Sequence, residues 1–415
     1  MHGCLLVLML LACSCQAFNY MGTAFTYHAL KGSDTRTVVR YKVAFQECGN
    51  VTVVDCPLDN CTIDVVSVKR VDENSGVWCQ DEVTVHVDIP DNFTLNLDGL
   101  KWINVTNNVT DVLAVTRADV RIRSDTGRPN MSPLATMIPL YRVPSNCYFQ
   151  SRMPIFDPDG DYVDCYLVKS DSNSDIPIIV HGCFLKFLPD YNKNNNISLE
   201  GMYAVQVVME DSPLQDLTLT DAAGNEKFIY KYEPISEVPV QFVLKVDPPV
   251  ESCQEGKYLP LFLDPTPNDG DHQYAFVNQT LEINIYASAE ESTITQLLFS
   301  GPAGVTKESL GDGRFVLAWT PTPEDSGLRQ AICFVVEATK NDTIFQSQMR
   351  CVIVAVDHLL MVLDAKFLSR SFHTLLDIKE IALPRLKKEL VDRGLPPDIT
   401  LRVVDFKEFD DKLIP

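Results

Sequence analysis

The sequence predicts an all-β protein, with tandem β-sandwich domains followed by a small α+β module. Short runs rich in Val, Ile, Thr and aromatic residues recur along the chain, and Asn, Asp, Gly and Pro separate them. This is the usual pattern of strands joined by turns. Four runs alternate apolar and polar side chains with the period of two that half-buried strands show: residues 37–45, 82–88, 202–208 and 240–246. A helical period is found only after residue 356.

Residues 1–17 have the pattern of a signal peptide. Residues 5–11 form an apolar run, which is too short for a membrane span of ~20 residues. Cys15-Gln16-Ala17 provides small residues at the two positions that signal peptidase recognises. We therefore expect cleavage after Ala17 and a mature chain that begins at Phe18. The competing interpretation is a buried N-terminal strand.

Cysteine usage fits an exported chain. Removal of residues 1–17 leaves an even number of cysteines, as expected for a secreted protein with disulfide bonds. None of them has the spacing of a zinc site. These cysteines are Cys48, Cys56, Cys61, Cys79, Cys147, Cys165, Cys183, Cys253, Cys333 and Cys351.

Asn residues followed by x-Ser/Thr are candidate N-glycosylation sites in an exported chain. The candidates are Asn50, Asn60, Asn92, Asn104, Asn108, Asn130, Asn196, Asn278 and Asn341. Asn130 is the weakest of them, because Pro133 directly follows the serine of its sequon.

The formal net charge of −21 argues against nucleic acid and anionic membranes as partners, because both are bound through clustered Lys and Arg. The most apolar later segment, residues 351–368, is interrupted by charged residues and does not predict a membrane span. We therefore expect a secreted, extracellular protein, or a fragment of a longer chain, whose partners are other extracellular proteins.

Prolines and cysteines suggest the domain boundaries. Pro133, Pro139 and Pro144 mark a stiff linker, and Asp247-Pro248-Pro249 marks a second break. After the signal peptide (1–17), the predicted units are domain 1 (18–141), domain 2 (142–247), domain 3 (248–356) and a C-terminal α+β module (357–415). This module has a strand pattern at 359–367, a helical pattern at 373–393 and a strand pattern at 399–404, and a longer chain would complete it.

Domains 2 and 3 begin alike, which indicates a weak internal repeat. Each start has a cysteine, Cys147 or Cys253, that is followed by an Asp- and Gly-rich turn at 157–161 or 268–271. The offset of about 106 residues is the size of an immunoglobulin-like sandwich. Chance similarity between turn-rich segments is the alternative.

Residues 314–327, RFVLAWTPTPEDSG, resemble the W-x-P-x-x-x-D-x-G signature of immunoglobulin-like and cadherin-like repeats in extracellular animal proteins. The resemblance covers domain 3 well, domain 2 weakly and domain 1 only in general character. It implies that Trp319 packs in the core and that the turn from Asp325 to Gly327 leads into the next strand. It also implies adhesion or scaffolding and no catalysis.

The turn at 157–161 carries three carboxylates at alternate positions, a spacing that allows them to converge on Ca²⁺. It is not an EF-hand, because Gly160 is fourth in the loop and Val168 stands where the bidentate Glu belongs. We predict a Ca²⁺ site formed by Asp157, Asp159 and Asp161. The alternative is a solvated turn, and no other cofactor is expected.

Spacing also predicts a disulfide between Cys333 and Cys351, which are symmetric about Asp342 in a polar turn. In a hairpin that closes there, the two cysteines face each other with Cα atoms ~4.5–5.5 Å apart, within reach of a disulfide. Cys165 and Cys183 have the same symmetry about residue 174 and predict a second bridge.

The sequence leaves the other disulfide pairings open. Cys253 competes for Cys333 or Cys351, because its other candidate, Cys147, begins a different domain. The sequence does not decide how Cys48, Cys56, Cys61 and Cys79 pair.

No motif in the sequence predicts catalysis. The six histidines of the mature chain are scattered, and it lacks H-E-x-x-H, G-x-S-x-G and phosphate-binding glycine loops. Two functions remain: an N-glycosylated adhesion or matrix protein that binds proteins through sandwich surfaces and loops, or a secreted ligand-binding or inhibitory protein. A glycan-free aromatic face would favour the first, and one deep apolar pocket would favour the second.

Overall fold

The computed structural model describes residues 19–30, 36–49, 54, 62–88, 91–97, 99–134, 136–154, 156–168, 177–189, 198–357, 382–393 and 401. In these residues the predicted all-β fold is confirmed, and the four alternating runs lie in β2, β4, β13 and β16. The strands are β1 (Tyr20–Ala29), β2 (Arg36–Phe45), β3 (Thr62–Asn74), β4 (Trp78–Asp88), β5 (Asn92–Asn96), β6 (Val115–Asp119), β7 (Ile122–Arg123), β8 (Leu140–Pro144), β9 (Phe149–Arg152), β10 (Tyr162–Leu167), β11 (Ile178–His181), β12 (Phe184–Phe187), β13 (Gly201–Ser212), β14 (Leu217–Thr220), β15 (Glu226–Ile229), β16 (Ser236–Asp247), β17 (Leu261–Leu263), β18 (His272–Ala275), β19 (Leu281–Ser288), β20 (Thr293–Ser300), β21 (Thr306–Gly311), β22 (Arg314–Trp319), β23 (Arg329–Lys340), β24 (Thr343–Gln346) and β25 (Arg350–Val356). A 3₁₀ turn at Pro323–Asp325 and helix α1 (Leu383–Asp392) complete the described elements.

The largest sheet has ten strands and crosses a predicted domain boundary. Its main order is β10-β13-β16-β1-β2-β4-β3, while β6 and β8 also pair with β16 and β5 pairs with β6. Strand β1 of predicted domain 1 is hydrogen-bonded to β16 of predicted domain 2, with Ala24 opposite Val240. The boundary predicted at 141/142 is therefore wrong, because the hydrogen bonds of one sheet cross it.

The contact between β1 and β16 requires a glycine. Gly22 has a φ of +143°, and a Cβ atom added to it would lie 2.1 Å from the main-chain oxygen of Gln241. Nearby, the Tyr20 hydroxyl donates a hydrogen bond to Gln241 Oε1 at 2.7 Å, across 221 residues of sequence. Only glycine allows such a close approach of two main chains, so the joined sheet depends on residues that are distant in sequence.

Strands β17 to β25 of predicted domain 3 form two sheets whose buried faces share one core. One sheet has the order β17-β19-β22-β21, and the other has the order β18-β25-β23-β20 with β24 beside β23. Trp319 is buried between them with Phe315 and Phe334, which confirms the position that the resemblance implies. Gly327 has a φ of +76° and ends the turn that leads into β23.

Two ion pairs join domain 3 to the first part of the chain. Lys307 Nζ lies 2.6 Å from Asp72 Oδ1, and the main-chain N–H of Phe299 donates to the other oxygen of Asp72. Arg40 Nη1 donates to Asp325 Oδ1 at 2.9 Å, and both side chains are about nine-tenths buried. The Asp of the W-x-P-x-x-x-D-x-G signature thus holds domain 3 to β2.

The predicted bridge between Cys333 and Cys351 is present, and the two residues are directly opposite each other in β23 and β25. The hairpin tip is Asn341-Asp342, where both residues have positive φ. This conformation is the type I′ turn that two-residue hairpins favour.

The bridge between Cys165 and Cys183 is also present, but the predicted hairpin geometry is wrong. Cys165 lies in β10, which pairs with β13. Cys183 lies in the turn between β11 and β12, which belong to another sheet. The bridge therefore joins two sheets and does not close one hairpin.

The structure decides two pairings that the sequence left open. Cys253 is bonded to Cys147, so the cysteines that begin the two repeat units bind each other. Beside this bridge, Asn146 exchanges two hydrogen bonds with the main chain of Val250. Cys48 is bonded to Cys79, whereas Cys56 and Cys61 lie outside the described residues.

Helix α1 lies within the helical pattern predicted at 373–393. The predicted signal peptide and the strand pattern at 359–367 lie outside the described residues, as does all of 399–404 except residue 401.

Candidate functional site

The small sheet β15-β14-β7 separates a buried inner face from an exposed outer face. Leu217 and Leu219 of β14 and Ile229 of β15 point inward and form a small core. Phe228 directly precedes Ile229 on β15 and is opposite Thr218 of β14, so the alternation of side chains along a strand turns it to the outer face. Ile122 of β7 is likewise exposed beside Thr220 of β14.

Six large apolar side chains lie on or beside this outer face, and each is between 46% and 65% exposed. We call this set the aromatic face. Exposed apolar clusters on soluble proteins mark interaction sites, and Tyr and Phe are enriched in protein interfaces. The set consists of Ile122, Tyr162, Leu214, Phe228, Tyr230 and Tyr232.

The rings of the aromatic face meet at steep angles. Phe228 and Tyr230 have ring centroids 5.0 Å apart and an angle of 75° between ring planes. Tyr162 and Tyr232 have centroids 5.9 Å apart and an angle of 74°. These edge-to-face contacts are favourable between aromatic rings, and they give the surface ridges instead of a flat platform.

Tyr232 is held in an unusual main-chain conformation. Its φ is +63°, which is uncommon for a bulky residue other than glycine and costs energy. The conformation is fixed by a hydrogen bond from the Tyr232 N–H to the oxygen of Pro213, and Lys231 N–H donates to Asp216. Lys231 Nζ also lies 4.6 Å from the centre of the Tyr232 ring.

Arg123 anchors the inner face of the same sheet. Its guanidinium is fully buried and has five N–H donors. Nε and Nη2 donate to Asp125, Nη1 donates to Asn130 Oδ1, and both terminal nitrogens donate to Asp161. Five hydrogen bonds therefore use all five donors.

The carboxylates of the turn at 157–161 are engaged in three different ways. Asp157 Oδ1 accepts the main-chain N–H groups of Asp159 and Asp161, as in a tight polar turn. Asp159 Oδ2 accepts the N–H of Met131, and Asp161 binds Arg123. Calcium binding by Asp157, Asp159 and Asp161 stays a prediction made from the sequence, and an ion there has to compete with the guanidinium.

Asp211 lies behind this turn and is completely buried. It accepts hydrogen bonds from Ser236 through Oδ1 and from Asn130 Nδ2 through Oδ2. Burial raises the pKa of Asp211 to about 7 and that of Asp159 to about 6. The inner side of the small sheet is thus a polar network of carboxylates around one arginine.

The glycosylation prediction for Asn130 is wrong for the folded protein. The Asn130 side chain is completely buried, and its Nδ2 donates to Asp211 and to the Tyr27 hydroxyl. A glycan on Nδ2 would remove donors from this network and has no space there.

In sequence, the remaining candidate glycosylation sites lie outside the segments that build the aromatic face. These segments, 121–130, 157–167 and 212–236, contain no sequon except that of the buried Asn130. The other candidates in the described residues are all exposed, and they are Asn92, Asn104, Asn108, Asn278 and Asn341. Asn50, Asn60 and Asn196 lie outside the described residues.

One group of three potential metal ligands is found among the residues that the structure describes. It consists of Cys48, Glu73 and Cys79. The two cysteines form a disulfide, so their sulfurs are not thiolates that bind a metal.

The aromatic face was not predicted from the sequence. Its signal was the run KFIYKY at 227–232, in which aromatic residues occupy every second position. In an ordinary half-buried strand one would place these aromatics in the core, but here the smaller Ile229 faces inward.

Neither protein-family models nor curated proteins provide a match to this chain. Among solved structures, Drosophila N-cadherin EC1-4 has 11% identity, covers 81% of this chain and 93% of its own, and has a TM-score of 0.19. The insect immune protein hemolin has 11% identity, with 80% and 77% coverage and a TM-score of 0.17. An endo-fucoidan hydrolase of glycoside hydrolase family 107 has 12% identity and a TM-score of 0.19, with 71% of this chain matched to 38% of that one. Identities and TM-scores this low support no conclusion about function.

The sheets and the cysteines define the class of the protein. It is an all-β protein of several mostly antiparallel sheets, cross-linked by disulfides in the described residues. Disulfides persist in oxidising compartments and favour an extracellular or secreted protein. Of the helices in the described part of the chain, none has the length and apolar character needed to cross a membrane.

Proposed function

We propose that this chain is a secreted, N-glycosylated adhesion or scaffold protein and that its aromatic face binds other extracellular proteins. The observation that carries the proposal is a cluster of exposed aromatic rings whose building segments have no exposed sequon. N-linked glycans shield the surface around them, so a glycan-free apolar face is accessible to a protein partner.

The ring geometry favours a protein over a carbohydrate as the partner. A sugar ring stacks on a flat aromatic surface, whereas the paired rings here are inclined by 74° and 75°. Such ridges and grooves complement the side chains of another protein, and exposed Tyr residues are typical centres of binding energy in protein interfaces.

The rigid mounting of the face also supports binding. The Tyr232 main chain is fixed by hydrogen bonds, and the sheet is anchored from behind by Arg123. Side chains that are ordered before binding lose less conformational entropy when a partner docks.

The proposal is tested with the double variant Phe228→Ser/Tyr230→Ser of the secreted chain. Binding to a panel of purified extracellular domains is measured on beads, and a second copy of the chain is included in the panel. We expect the variant to bind at least about tenfold more weakly to the partners of the wild type, since each anchor contributes roughly 1–2 kcal/mol. Its thermal midpoint should match the wild type, because both side chains are exposed.

The matched control is Phe276→Ser/Leu310→Ser, which removes two exposed apolar side chains from domain 3. This control should bind like the wild type. If the Phe228/Tyr230 variant retains full binding to every partner, or if the wild type binds no protein in the panel, the proposal is refuted.

A further inference from the structure

A second surface feature lies away from the aromatic face and shares no residue with it. It is a cleft of about 480 Å³ between strand β9 and strand β17, with Arg350 at the start of β25 on its wall. Its volume is within the range of sites that hold small ligands or short peptide segments, ~300–1,000 Å³.

Both strands that border the cleft are edge strands. Among the strands that the structure describes, β9 pairs only with β12 in the sheet β11-β12-β9, and β17 pairs only with β19 in the sheet β17-β19-β22-β21. An edge strand presents unpaired main-chain N–H and C=O groups, which are a template for another strand.

The register shows which main-chain groups of β9 are directed away from β12. The N–H of Met153 donates to the oxygen of Cys183, and the same register places Arg152 opposite Phe184. Hydrogen-bonded and non-hydrogen-bonded residue pairs alternate along an antiparallel ladder. Because Met153 is hydrogen-bonded to Cys183, Arg152 and Gln150 fall in non-hydrogen-bonded pairs, and their N–H and C=O groups are directed away from β12. In the described residues, these groups have no main-chain partner.

The charges that line the cleft balance. The guanidinium of Arg152 lies over the ring of Phe184 with its Cζ 5.7 Å from the ring centre, and Arg350 is the second cation. Glu255 and Asp269 are the two acidic residues on the lining. A lining with two positive and two negative groups does not select a strongly charged ligand.

The polar atoms of the lining require both donors and acceptors from a ligand. Glu255 Oε1 is buried and has no hydrogen-bond partner in the described residues, so it lacks a donor. The Arg152 guanidinium is exposed on the lining and can donate hydrogen bonds to an acceptor of the ligand. A polypeptide main chain supplies both kinds of group in alternation.

We infer that the cleft binds an extended peptide segment of a partner protein as an added strand on β9. The peptide main chain pairs with the groups of Gln150 and Arg152, and Glu255 and Arg152 hydrogen-bond its remaining N–H and C=O groups. Strand addition to an exposed sheet edge is an established mode of peptide recognition, and it goes beyond the binding proposed for the aromatic face.

The test uses the full secreted chain and a phage-displayed library of random linear dodecapeptides as the probe. Enriched peptides are synthesised, and their affinities are measured by fluorescence anisotropy for the wild type, Gln150→Pro and Gln150→Ala. Proline removes the N–H that is directed away from β12 and leaves the β9–β12 ladder intact, whereas alanine removes only the side chain.

We expect Gln150→Pro to weaken peptide binding by about tenfold or more, the effect of one or two lost hydrogen bonds, and Gln150→Ala to bind nearly as the wild type does. Amide hydrogen exchange at residues 150 and 152 should slow when the peptide is bound. If Gln150→Pro does not fold, Arg152→Glu replaces it and should also weaken binding. The inference is overturned if no peptide is enriched, or if enriched peptides bind all variants equally.

The outcome of this peptide-binding test does not depend on the aromatic face. Phe228→Ser/Tyr230→Ser should retain peptide binding, and Gln150→Pro should retain binding to the protein partners of the aromatic face. Failure of one proposal therefore leaves the other open to its own test.

Discussion

Arg123 and Asp161 form a buried bidentate ion pair that connects two parts of the aromatic face. Arg123 directly follows Ile122, and Asp161 directly precedes Tyr162, so the pair fixes the neighbours of two exposed side chains. The two terminal nitrogens of Arg123 each donate to one oxygen of Asp161. The pair thereby links the small sheet to the beginning of β10 in the large sheet.

Arg123→Met should destabilise the protein by ~3–5 kcal/mol, because removal of one partner leaves buried carboxylates without a compensating charge. Unfolding in urea measures the change. The control is Arg314→Met, since the Arg314 side chain is 48% exposed beside Asp312 and surface pairs contribute ~1 kcal/mol or less. Equal losses in the two variants would contradict a structural role for the buried pair.

The same ion pair predicts that the turn at 157–161 has little affinity for Ca²⁺. Because Arg123 already neutralises Asp161, we expect the wild type to melt at the same temperature in millimolar Ca²⁺ and in chelator. A bound ion would stabilise the native state in proportion to its saturation. A calcium-dependent rise that Asp159→Asn abolishes would instead establish the site predicted from the sequence.

The secreted chain should carry no glycan on Asn130. Asn130→Gln is expected to leave the mass of the glycosylated protein unchanged except for the substitution, and to lower stability by ~1–3 kcal/mol because buried hydrogen bonds are lost. Asn278→Gln and Asn341→Gln, at exposed sites, should each remove the mass of one glycan. Intact-mass measurement decides the matter, and a glycan found on residue 130 would show that the described packing is incorrect.

Glu337 should make stability depend on pH between its raised folded pKa and its unfolded pKa of about 4.3. Its carboxylate is buried in β23 and accepts hydrogen bonds from Gln296 and Gln346, and burial raises its pKa. A raised folded pKa means that the folded state holds the proton more firmly. The free energy of unfolding therefore rises as pH falls through this window, by at most about 1.4 kcal/mol per pH unit for one proton.

Glu337→Gln should reduce the slope of this part of the stability curve by the contribution of one proton, while the buried Asp159 and Asp211 still titrate in the same range. Denaturant unfolding at several pH values between 4 and 7 measures the slope. Glu308→Gln, on the exposed strand β21, serves as the control and should retain the wild-type slope. A wild-type slope in Glu337→Gln would assign the pH dependence to other groups.

The sequence by itself determined the strand content, the burial of Trp319 and the bridge between Cys333 and Cys351. These properties depend on local patterns: alternation with a period of two, turn residues at hairpin tips, and the W-x-P-x-x-x-D-x-G signature around Trp319. Cys333 and Cys351 were predictable because one short hairpin places them opposite each other. Local periodicity and turn chemistry suffice where the contacting residues are close in sequence.

Only the tertiary structure decided the joined ten-stranded sheet, the Cys147–Cys253 bridge and the aromatic face. The contact of Gly22 with Gln241 and the pairing of Arg123 with Asp161 link segments that are far apart in the chain. Alternation along β15 places Phe228 and Ile229 on opposite faces of the strand. It does not show which of these faces is buried, because that depends on which face another part of the chain covers. The physical reason is that burial is a property of the packed assembly, and strand alternation fixes only the relative orientation of side chains.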